Sequence, residues 1–431
     1  MSKRRASLLL GRIGVAFAAS LAFGGCGSGS ESGGPPERIV LIVVDTLRRD
    51  HLSPYGADIA TPNIARLARE GVVYPNAIAS FHMTSMSMGA MWSGRTPALS
   101  SGDPSRTIAW NEENWCGMAR FGPAAAGACF PEQVPRLGRA MRDLGYETIG
   151  VTANSMLFGA AGFSQGFTQW LEVPAPGRSG KRKPLRQTWK ESSAARAAPA
   201  VGAAVERALA RRESDRFFLY VHFMDVHDWA ARGVEYRQTV EEVDRGIGAL
   251  LDLLEGNGLL EGTAIIFTSD HGESLDEPHL VPTTPRHIGN PSFEPVLVVP
   301  LIAKGAALSH AGPIVRSEDL FRILLRTAGG APPDTSDLEP EELFVTEQAY
   351  RTYRRGHWKS YSGRYDGTFR LVDLEADPSE LRDVADQHPD IAELHRARVS
   401  ELTAALAAPE AALHQIDEAQ MDRLRSLGYV E

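Results

Sequence analysis

Two acidic segments follow strand-like stretches of this 431-residue chain and carry residue types that bind divalent cations. The apolar run Arg38–Val44 leads into Asp45, and the run Thr263–Ser269 leads into Asp270 and His271. Continuous apolar runs are typical of parallel strands buried on both faces, and ligands bind at the carboxyl ends of such strands. A lone Asp–His pair indicates a solvated turn. Two strand-end acids on neighbouring strands instead predict a metal site, because buried like charges are costly without a cation.

The elements that must position these residues alternate along the chain. Helical patterns over Pro62–Glu70, Val134–Leu144 and Val240–Leu254 lie between strand-like runs, which predicts a mostly parallel or mixed sheet with helices on both faces. From about Thr346 the pattern changes to short strand-like pieces, followed by a helix near Pro389–Leu402. A second, smaller unit is therefore expected at the C-terminal end.

Composition and the N-terminal residues indicate the class of protein. Hydrophobic residues make up 43% of the chain, and the net charge of −9 provides no basic surface for nucleic acid.

Three basic residues near the start precede the apolar stretch Ile13–Phe23 and then Cys26, a pattern that predicts an export signal over residues 1–25. We expect a lipidated Cys26 and a flexible tether over residues 26–36, with ordinary cleavage near Cys26 as the alternative. The expected location is the envelope of a bacterium, either periplasmic or on the outer surface, with the lipid in the membrane.

Two other features of the chain leave alternatives open. Cys116 and Cys129 lie in a Gly/Ala-rich insertion and form either a disulfide, which export favours, or two buried free thiols. The basic run Arg178–Lys190 indicates a solvated loop more than an anion site, because charge runs usually lie on solvated surfaces.

Short segments in a fixed order along the chain resemble the sulfatase family of the alkaline phosphatase superfamily. Besides the Asp45 strand, the matching segments are Tyr55–Gly56, Thr61–Gly71, Gly94–Pro97, Gly145–Thr148, Asp225–His227, Ser269–Glu273, His287–Asn290, Val299–Ile302, Leu374–Pro378 and Leu424–Tyr429. The resemblance implies an alkaline phosphatase-like α/β/α sandwich with a large mixed sheet. It also implies a catalytic domain over residues 37–345 and a small C-terminal antiparallel-sheet subdomain over residues 346–431.

The resemblance places Thr84 at the position of the family's nucleophile, which is a Cys or Ser oxidised to formylglycine. Met86 and Met88 replace the Pro and Arg of the family motif, whereas Ser87 is kept. A Thr cannot give formylglycine, because oxidation of a secondary alcohol gives a ketone. Its hydroxyl can still attack in line when a helix N-terminus and a cation activate it. The alternatives are that Thr84 only caps a helix, or that Ser85 is the nucleophile one position out of register.

The resemblance also assigns roles to histidines and to metal ligands. His227 corresponds to the histidine that serves the leaving group, and His287 lies near the position of a substrate-contacting Lys or His, whereas His222 is expected to be structural. A buried structural role is the alternative for His227. The implied ligands of one divalent cation are Asp45, Asp270, His271 and Thr84. The family resemblance favours Ca²⁺, and Mn²⁺, Mg²⁺ and Zn²⁺ remain open.

The departures from the family pattern leave three functional hypotheses. The first is a metal-dependent sulfatase-like hydrolase of a small anionic ester, such as a sulfated or phosphorylated glycan, lipid or aryl compound. The second is a phosphodiesterase or phosphoryl transferase that uses Thr84, because water can displace a phosphorylated Thr in line. The third is a binding protein that keeps the fold without catalysis.

Overall fold

The computed structural model describes residues 34–98, 107–109, 135–157, 162–173, 196–283, 285–287, 290–306, 313–332, 338–347 and 349–406. The predicted signal segment with Cys26, the pair Cys116 and Cys129, and the run Arg178–Lys190 lie outside the described residues. Within those ranges, no helix is long and apolar enough to cross a membrane.

Strands and helices alternate through the first three quarters of the chain. The strands are β1 (Arg38–Val44), β2 (Val72–Ile78), β3 (Thr96–Ala98), β4 (Thr107–Ala109), β5 (Glu147–Thr152), β6 (Gln169–Glu172), β7 (Phe217–Phe223), β8 (Thr263–Ser269), β9 (Val298–Lys304) and β10 (Val315–Arg316). The helices are α1 (Pro62–Glu70), α2 (Thr84–Ser93), α3 (Leu137–Asp143), α4 (Ala198–Leu209), α5 (Trp229–Arg232), α6 (Tyr236–Gly256), α7 (Glu294–Leu297) and α8 (Ser317–Thr327). The helix predicted over Val134–Leu144 thus begins at Leu137, after Arg136 in extended backbone.

Eight of these strands form one mixed sheet in the order β10-β2-β9-β8-β1-β7-β5-β6. Strands β8, β1, β7 and β5 are parallel, and β9 is antiparallel to both of its neighbours. Val44, the last residue of β1, pairs with Phe223 of β7 and with Ser269 of β8. The three central strands therefore end at one level, and the residues that follow them meet at one edge of the sheet.

Helices cover both faces of this sheet, so β1 is apolar at every position after Arg38. Its residues Ile39, Leu41 and Val43 belong to a core shared with α2, α3 and α8. The alternate residues Val40, Ile42 and Val44 belong to a second core shared with α1, α4 and α6. Each fully buried aliphatic side chain stabilises the fold by about 1.5–3 kcal/mol relative to the same side chain exposed to water. This packing holds the strand ends in register.

A second, antiparallel sheet follows in the chain. It contains β11 (Glu342–Thr346), β12 (Tyr350–Arg355), β13 (Trp358–Gly363) and β14 (Phe369–Asp373) in sequential order, and α9 (Pro389–Leu406) follows. Strand β11 runs across the predicted boundary between residues 345 and 346. The predicted α/β class, with a large mixed sheet and a small antiparallel one, is confirmed.

Candidate active site

Asp45 and Asp270 lie side by side at the carboxyl ends of β1 and β8, and both are completely buried. The two strand ends are tied together by backbone donors. The Thr46 N–H donates to Asp270 Oδ1 at 3.2 Å, and the Leu47 N–H donates to Ser269 Oγ at 3.0 Å. Thr46 has a φ of 58°, a left-handed conformation that is uncommon for a β-branched residue and is often found at functional sites.

Asp45, Asp270 and His271 offer ligand atoms that all lie within 4.8 Å of one another. Asp45 Oδ1 and Asp270 Oδ2 are buried and accept no hydrogen bond from the described residues. The His271 Nδ1 atom lies 2.9 Å from the Gly272 carbonyl oxygen and must carry the proton there, so Nε2 presents its lone pair. Because unpaired buried carboxylate oxygens are costly, this donor set fits a bound divalent cation.

The Thr84 hydroxyl lies beside these ligand atoms at the first residue of α2. Its Oγ1 donates to Asp45 Oδ2 at 3.2 Å and lies 3.3 Å from His271 Nε2. The hydroxyl proton is directed at Asp45, so the Oγ1 and Nε2 lone pairs face the same space, which suits a cation. The helix N-cap is Met83, so the structure does not place Thr84 at the capping position.

Asn154 and His222 also contact Asp45, and the sequence analysis did not assign either of them to the site. The Asn154 Nδ2 group donates to Asp45 Oδ2 and lies 3.3 Å from Thr84 Oγ1. His222 Nε2 lies 3.2 Å from the same carboxylate oxygen, and its Nδ1 lies 2.6 Å from the Tyr220 hydroxyl. His222 was expected to be purely structural. The sequence offered one signal for a role in the site: His222 is a polar residue near the end of the largely apolar strand β7.

The pKa of Asp45 shows how these neighbours act together. Burial alone would raise this pKa, but the hydrogen bond from His222 and the electrostatic effect of the nearby His227, His222 and His271 rings lower it strongly. The carboxylate therefore stays ionised. Burial raises the pKa of Tyr220 well above its usual value, and the charges of Asp270 and Asp45 add to this, so the hydroxyl that lies 2.6 Å from His222 Nδ1 stays protonated.

The two histidines predicted to serve the substrate, His227 and His287, lie next to each other and to His271, a candidate metal ligand. The ring centroids of His227 and His287 are 5.6 Å apart, and those of His287 and His271 are 4.5 Å apart. Each of the two has a carboxylate within reach of Nδ1. Asp228 Oδ1 lies 3.4 Å from His227 Nδ1, and Glu273 Oε1 lies 3.1 Å from His287 Nδ1.

Burial by itself would lower the pKa of both rings. The charged neighbours differ, however, so the pKa values of His227 and His287 move in opposite directions. For His227 the hydrogen bond to Asp228 and the charges of Asp45 and Asp228 outweigh burial, so its pKa is raised. For His287 burial prevails over the Glu273 carboxylate, and its pKa is lowered. A pair of titratable groups whose pKa values are moved apart in this way suits different roles in proton transfer.

The two methionines that replace the family's Pro and Arg belong to the core. Met86 and Met88 lie on α2 and are buried against the first core cluster. Ser87, which keeps the family residue, donates through Oγ to the Asp270 carbonyl oxygen and lies 2.9 Å from Ser317 Oγ. On this helix the Ser87 hydroxyl thus supports the end of β8 at Asp270, and the apolar side chains anchor the helix in the core.

Comparisons with known proteins identify the family of this chain. A family model described as Sulfatase matches residues 37–330. An N-acetylgalactosamine-6-sulfatase from Canis lupus familiaris is 25% identical over 374 residues, with 75% of this chain and 69% of that protein covered. A solved 2-O GAG sulfatase has a TM-score of 0.64 at 17% identity, covering 86% of this chain and 92% of that chain. A phosphonate monoester hydrolase of Agrobacterium radiobacter has a TM-score of 0.58 at 16% identity, covering 89% and 98%. The chain therefore belongs to the sulfatase family of metal-dependent sulfate ester hydrolases, within the alkaline phosphatase superfamily.

Proposed function

We propose that this protein hydrolyses a small sulfate ester with the Thr84 hydroxyl as nucleophile. The observation that carries the proposal is the position of Thr84 Oγ1 at the N-terminus of α2, 3.2 Å from Asp45 Oδ2 and 3.3 Å from His271 Nε2. The helix N-terminus favours developing negative charge, and Asp45 holds the hydroxyl proton away from the lone pair that attacks.

Asp45, Asp270 and His271 would hold the cation, with Thr84 as a fourth ligand. A bound divalent cation supplies Lewis acidity, which stabilises the alkoxide form of the nucleophile and the charge on the transferred group. The Oδ1 atom of Asp45 and the Oδ2 atom of Asp270 support this assignment, because both are buried and lack hydrogen-bond donors among the described residues. The family resemblance favours Ca²⁺.

His227 and His287 would act on the substrate side. Thr84 Oγ1 gives up its proton to solvent, forms an oxygen–sulfur bond and breaks the bond between sulfur and the leaving-group oxygen. That oxygen takes up a proton from His227, whose raised pKa favours the protonated ring. His287 would contact the sulfate oxygens. Water then attacks sulfur, returns a proton to His227 and releases sulfate, and the Thr84 oxygen takes up a proton from solvent.

A phosphoryl substrate is the second candidate, and the chemistry of Thr84 favours it. A formylglycine hydrate releases sulfate by eliminating through its second hydroxyl, whereas a Thr side chain carries one hydroxyl and a methyl group. A phosphorylated Thr has a direct exit, because water can displace it in line at phosphorus. The similarity in fold to a phosphonate monoester hydrolase is compatible with this chemistry.

One comparison of substrates tests both candidates. The purified protein and its Thr84→Ala variant are assayed on matched aryl sulfate, phosphate monoester and phosphate diester, each with Ca²⁺, Mn²⁺ or Zn²⁺. Sulfate turnover that the variant lacks supports the first proposal, and turnover of the phosphate esters alone supports the second. No turnover on any ester rejects both for these substrates and leaves a binding protein that has kept the fold.

We also propose that Cys26 carries a lipid that anchors the protein in the cell envelope. The proposal rests on the basic residues, apolar stretch and cysteine at the N-terminal end of the chain. Expression in a bacterial host should place the full chain in the membrane fraction. The Cys26→Ser variant should appear in the soluble fraction, and an equal distribution of the two would contradict lipidation.

A further inference from the structure

Glu273 lies between the two histidine-bearing segments of the site and has two hydrogen-bond donors on its carboxylate. Its Oε1 lies 3.1 Å from His287 Nδ1, and its Oε2 accepts from Trp229 Nε1 at 3.2 Å. Glu273 and His287 are buried, and Trp229 begins α5, two residues after His227. One carboxylate therefore connects the segment that carries His287 to the segment that carries His227.

The backbone of Glu273 is fixed on both sides. Its N–H donates to the Pro295 carbonyl oxygen at 3.2 Å, and its own carbonyl oxygen accepts from Arg48 Nη1 at 3.2 Å. Because the main chain is tied to α7 and to the segment after β1, the carboxylate is a rigid support for the two donors. A support of this kind sets both the place and the orientation of the His287 ring.

We infer that Glu273 is a positioning residue that holds His287 in the tautomer protonated at Nδ1 and joins the His287 and Trp229 segments. An ionised carboxylate accepts hydrogen bonds at both oxygens, so the indole N–H and the imidazole Nδ1–H are satisfied together. The Nε2 atom of His287 is then the nitrogen that exchanges protons or hydrogen bonds with a ligand. This last role rests on the proposed function, whereas the tautomer does not.

Glutamine at position 273 has the same shape but cannot satisfy both donors. If its oxygen faces His287, its NH₂ group meets the Trp229 N–H, donor against donor. If its oxygen faces Trp229, its NH₂ group faces His287 Nδ1, and the ring must move its proton to Nε2. The second arrangement gives both the indole N–H and the glutamine NH₂ group an acceptor, so Glu273→Gln should switch the tautomer of His287.

A second substitution should reverse this switch. In the variant with both Glu273→Gln and Trp229→Phe, the indole N–H is gone, and the NH₂ group can face the phenyl ring while the oxygen accepts from His287 Nδ1–H. An amide N–H facing an aromatic ring is weakly favourable, whereas a carbonyl oxygen there is not. Trp229→Phe alone keeps the carboxylate and should keep the Nδ1–H tautomer.

The test is to measure the imidazole nitrogen chemical shifts of His287 in ¹⁵N-histidine-labelled protein at alkaline pH, beside kcat/KM for the best ester substrate. We expect Nδ1–H in the native chain and in Trp229→Phe, Nε2–H in Glu273→Gln, and Nδ1–H again in the double variant. We expect kcat/KM to fall about tenfold or more in Glu273→Gln and to recover partly in the double variant. An unchanged tautomer in Glu273→Gln, or a double variant identical to it, would overturn the inference. A native chain without turnover would defeat the proposed function, and the nitrogen shifts would still decide the role of Glu273.

Discussion

The hydroxyl of Thr84 donates its hydrogen bond to Asp45 Oδ2, the oxygen that also faces Asn154 and His222. Three donors thus converge on one oxygen of the Asp45 carboxylate, and Oδ1 accepts none from the described residues. This division directs Oδ1 to the space that a cation would occupy. The same hydrogen bonds set the orientation of the Thr84 hydroxyl, so the proposed nucleophile and the proposed metal site depend on one buried carboxylate.

Removal of the Thr84 hydroxyl should abolish catalysis and leave the fold intact. We expect Thr84→Ala to lower kcat by about 10³-fold or more, because no other described hydroxyl bonds the Asp45 carboxylate. Thr84→Ser keeps the hydroxyl and should keep part of the activity. The neighbouring Ser85→Ala is the matched control, since Ser85 is equally buried and should not change kcat. Equal activity of Thr84→Ala and the native chain would exclude Thr84 as the nucleophile.

Neutralising Asp270 should release the cation. Asp270→Asn keeps the acceptor oxygen for Thr46 and His271 N–H but replaces one ligand oxygen by a weaker donor or an NH₂ group. We expect cation affinity, measured by equilibrium dialysis, to fall more than about 100-fold. Asp244→Asn is the control, because Asp244 is a buried carboxylate that bonds the start of α1. That variant should lose stability and keep the cation; full metal retention in Asp270→Asn would show that the ligand assignment is wrong.

His222 should contribute to metal affinity through Asp45. His222→Phe fills similar space but removes one donor to Asp45 Oδ2, which frees the carboxylate to rotate. We expect cation affinity to fall about 10- to 100-fold, the range seen when a residue that hydrogen-bonds to a metal ligand is replaced. Tyr220→Phe removes only the hydroxyl that faces His222 Nδ1 and should have a smaller effect in the same direction. Calorimetric titration of metal into the three proteins checks the order, and unchanged affinity in His222→Phe would contradict this role.

His227 should matter most for esters whose alcohol is a poor leaving group. Its pKa is raised by Asp228 and Asp45 against the effect of burial, so the ring can donate a proton to the leaving oxygen. We expect His227→Asn to lower kcat/KM about 10²- to 10⁴-fold for an alkyl ester and much less for an activated aryl ester. The measurement is a series of esters with graded leaving-group pKa. An equal loss across that series would argue against a general acid.

Glu347 should make stability depend on pH. Burial raises its pKa to about 7, although Ser292 N–H and the Thr352 hydroxyl donate to Oε1, and Oε2 has no described partner. The folded state therefore holds a proton that the unfolded state loses near the ordinary Glu pKa of about 4.5. Since the folded state binds more protons in this window, the free energy of unfolding falls as pH rises from about 4.5 to about 7.

Substitution of Glu347 by Gln should remove that part of the pH dependence. Gln keeps the acceptor for Ser292 and Thr352 but has no proton to lose. We expect it to raise the free energy of unfolding above pH 7 by about 1–3 kcal/mol relative to the native chain, with little difference below pH 4.5. Urea unfolding across this range checks the result. Parallel pH profiles of the two proteins would show that Glu347 has an ordinary pKa in the fold.

The sequence by itself determined the fold class, the family and the candidate ligands at the two strand ends. Continuous apolar runs predict β1 and β8 because strands covered on both faces have no alternation, and the acids that follow are local to those runs. Thr84 could be located by counting along a family motif. Each of these inferences depends on residues that lie close together in the sequence, so the sequence alone is enough to make it.

Only the tertiary structure decided which side chains share the Asp45 carboxylate. Asn154 and His222 reach it because β7 pairs with β1 and β5 pairs with β7, a register set by side-chain packing across distant segments. The hydrogen-bond partners of Glu273 were likewise visible only in the tertiary structure, because Trp229 is 44 residues away in the sequence and His287 is 14 residues away. Hydrogen bonds between such distant residues leave no period or spacing in the sequence, so the partners of a buried carboxylate become visible only once the strands are aligned.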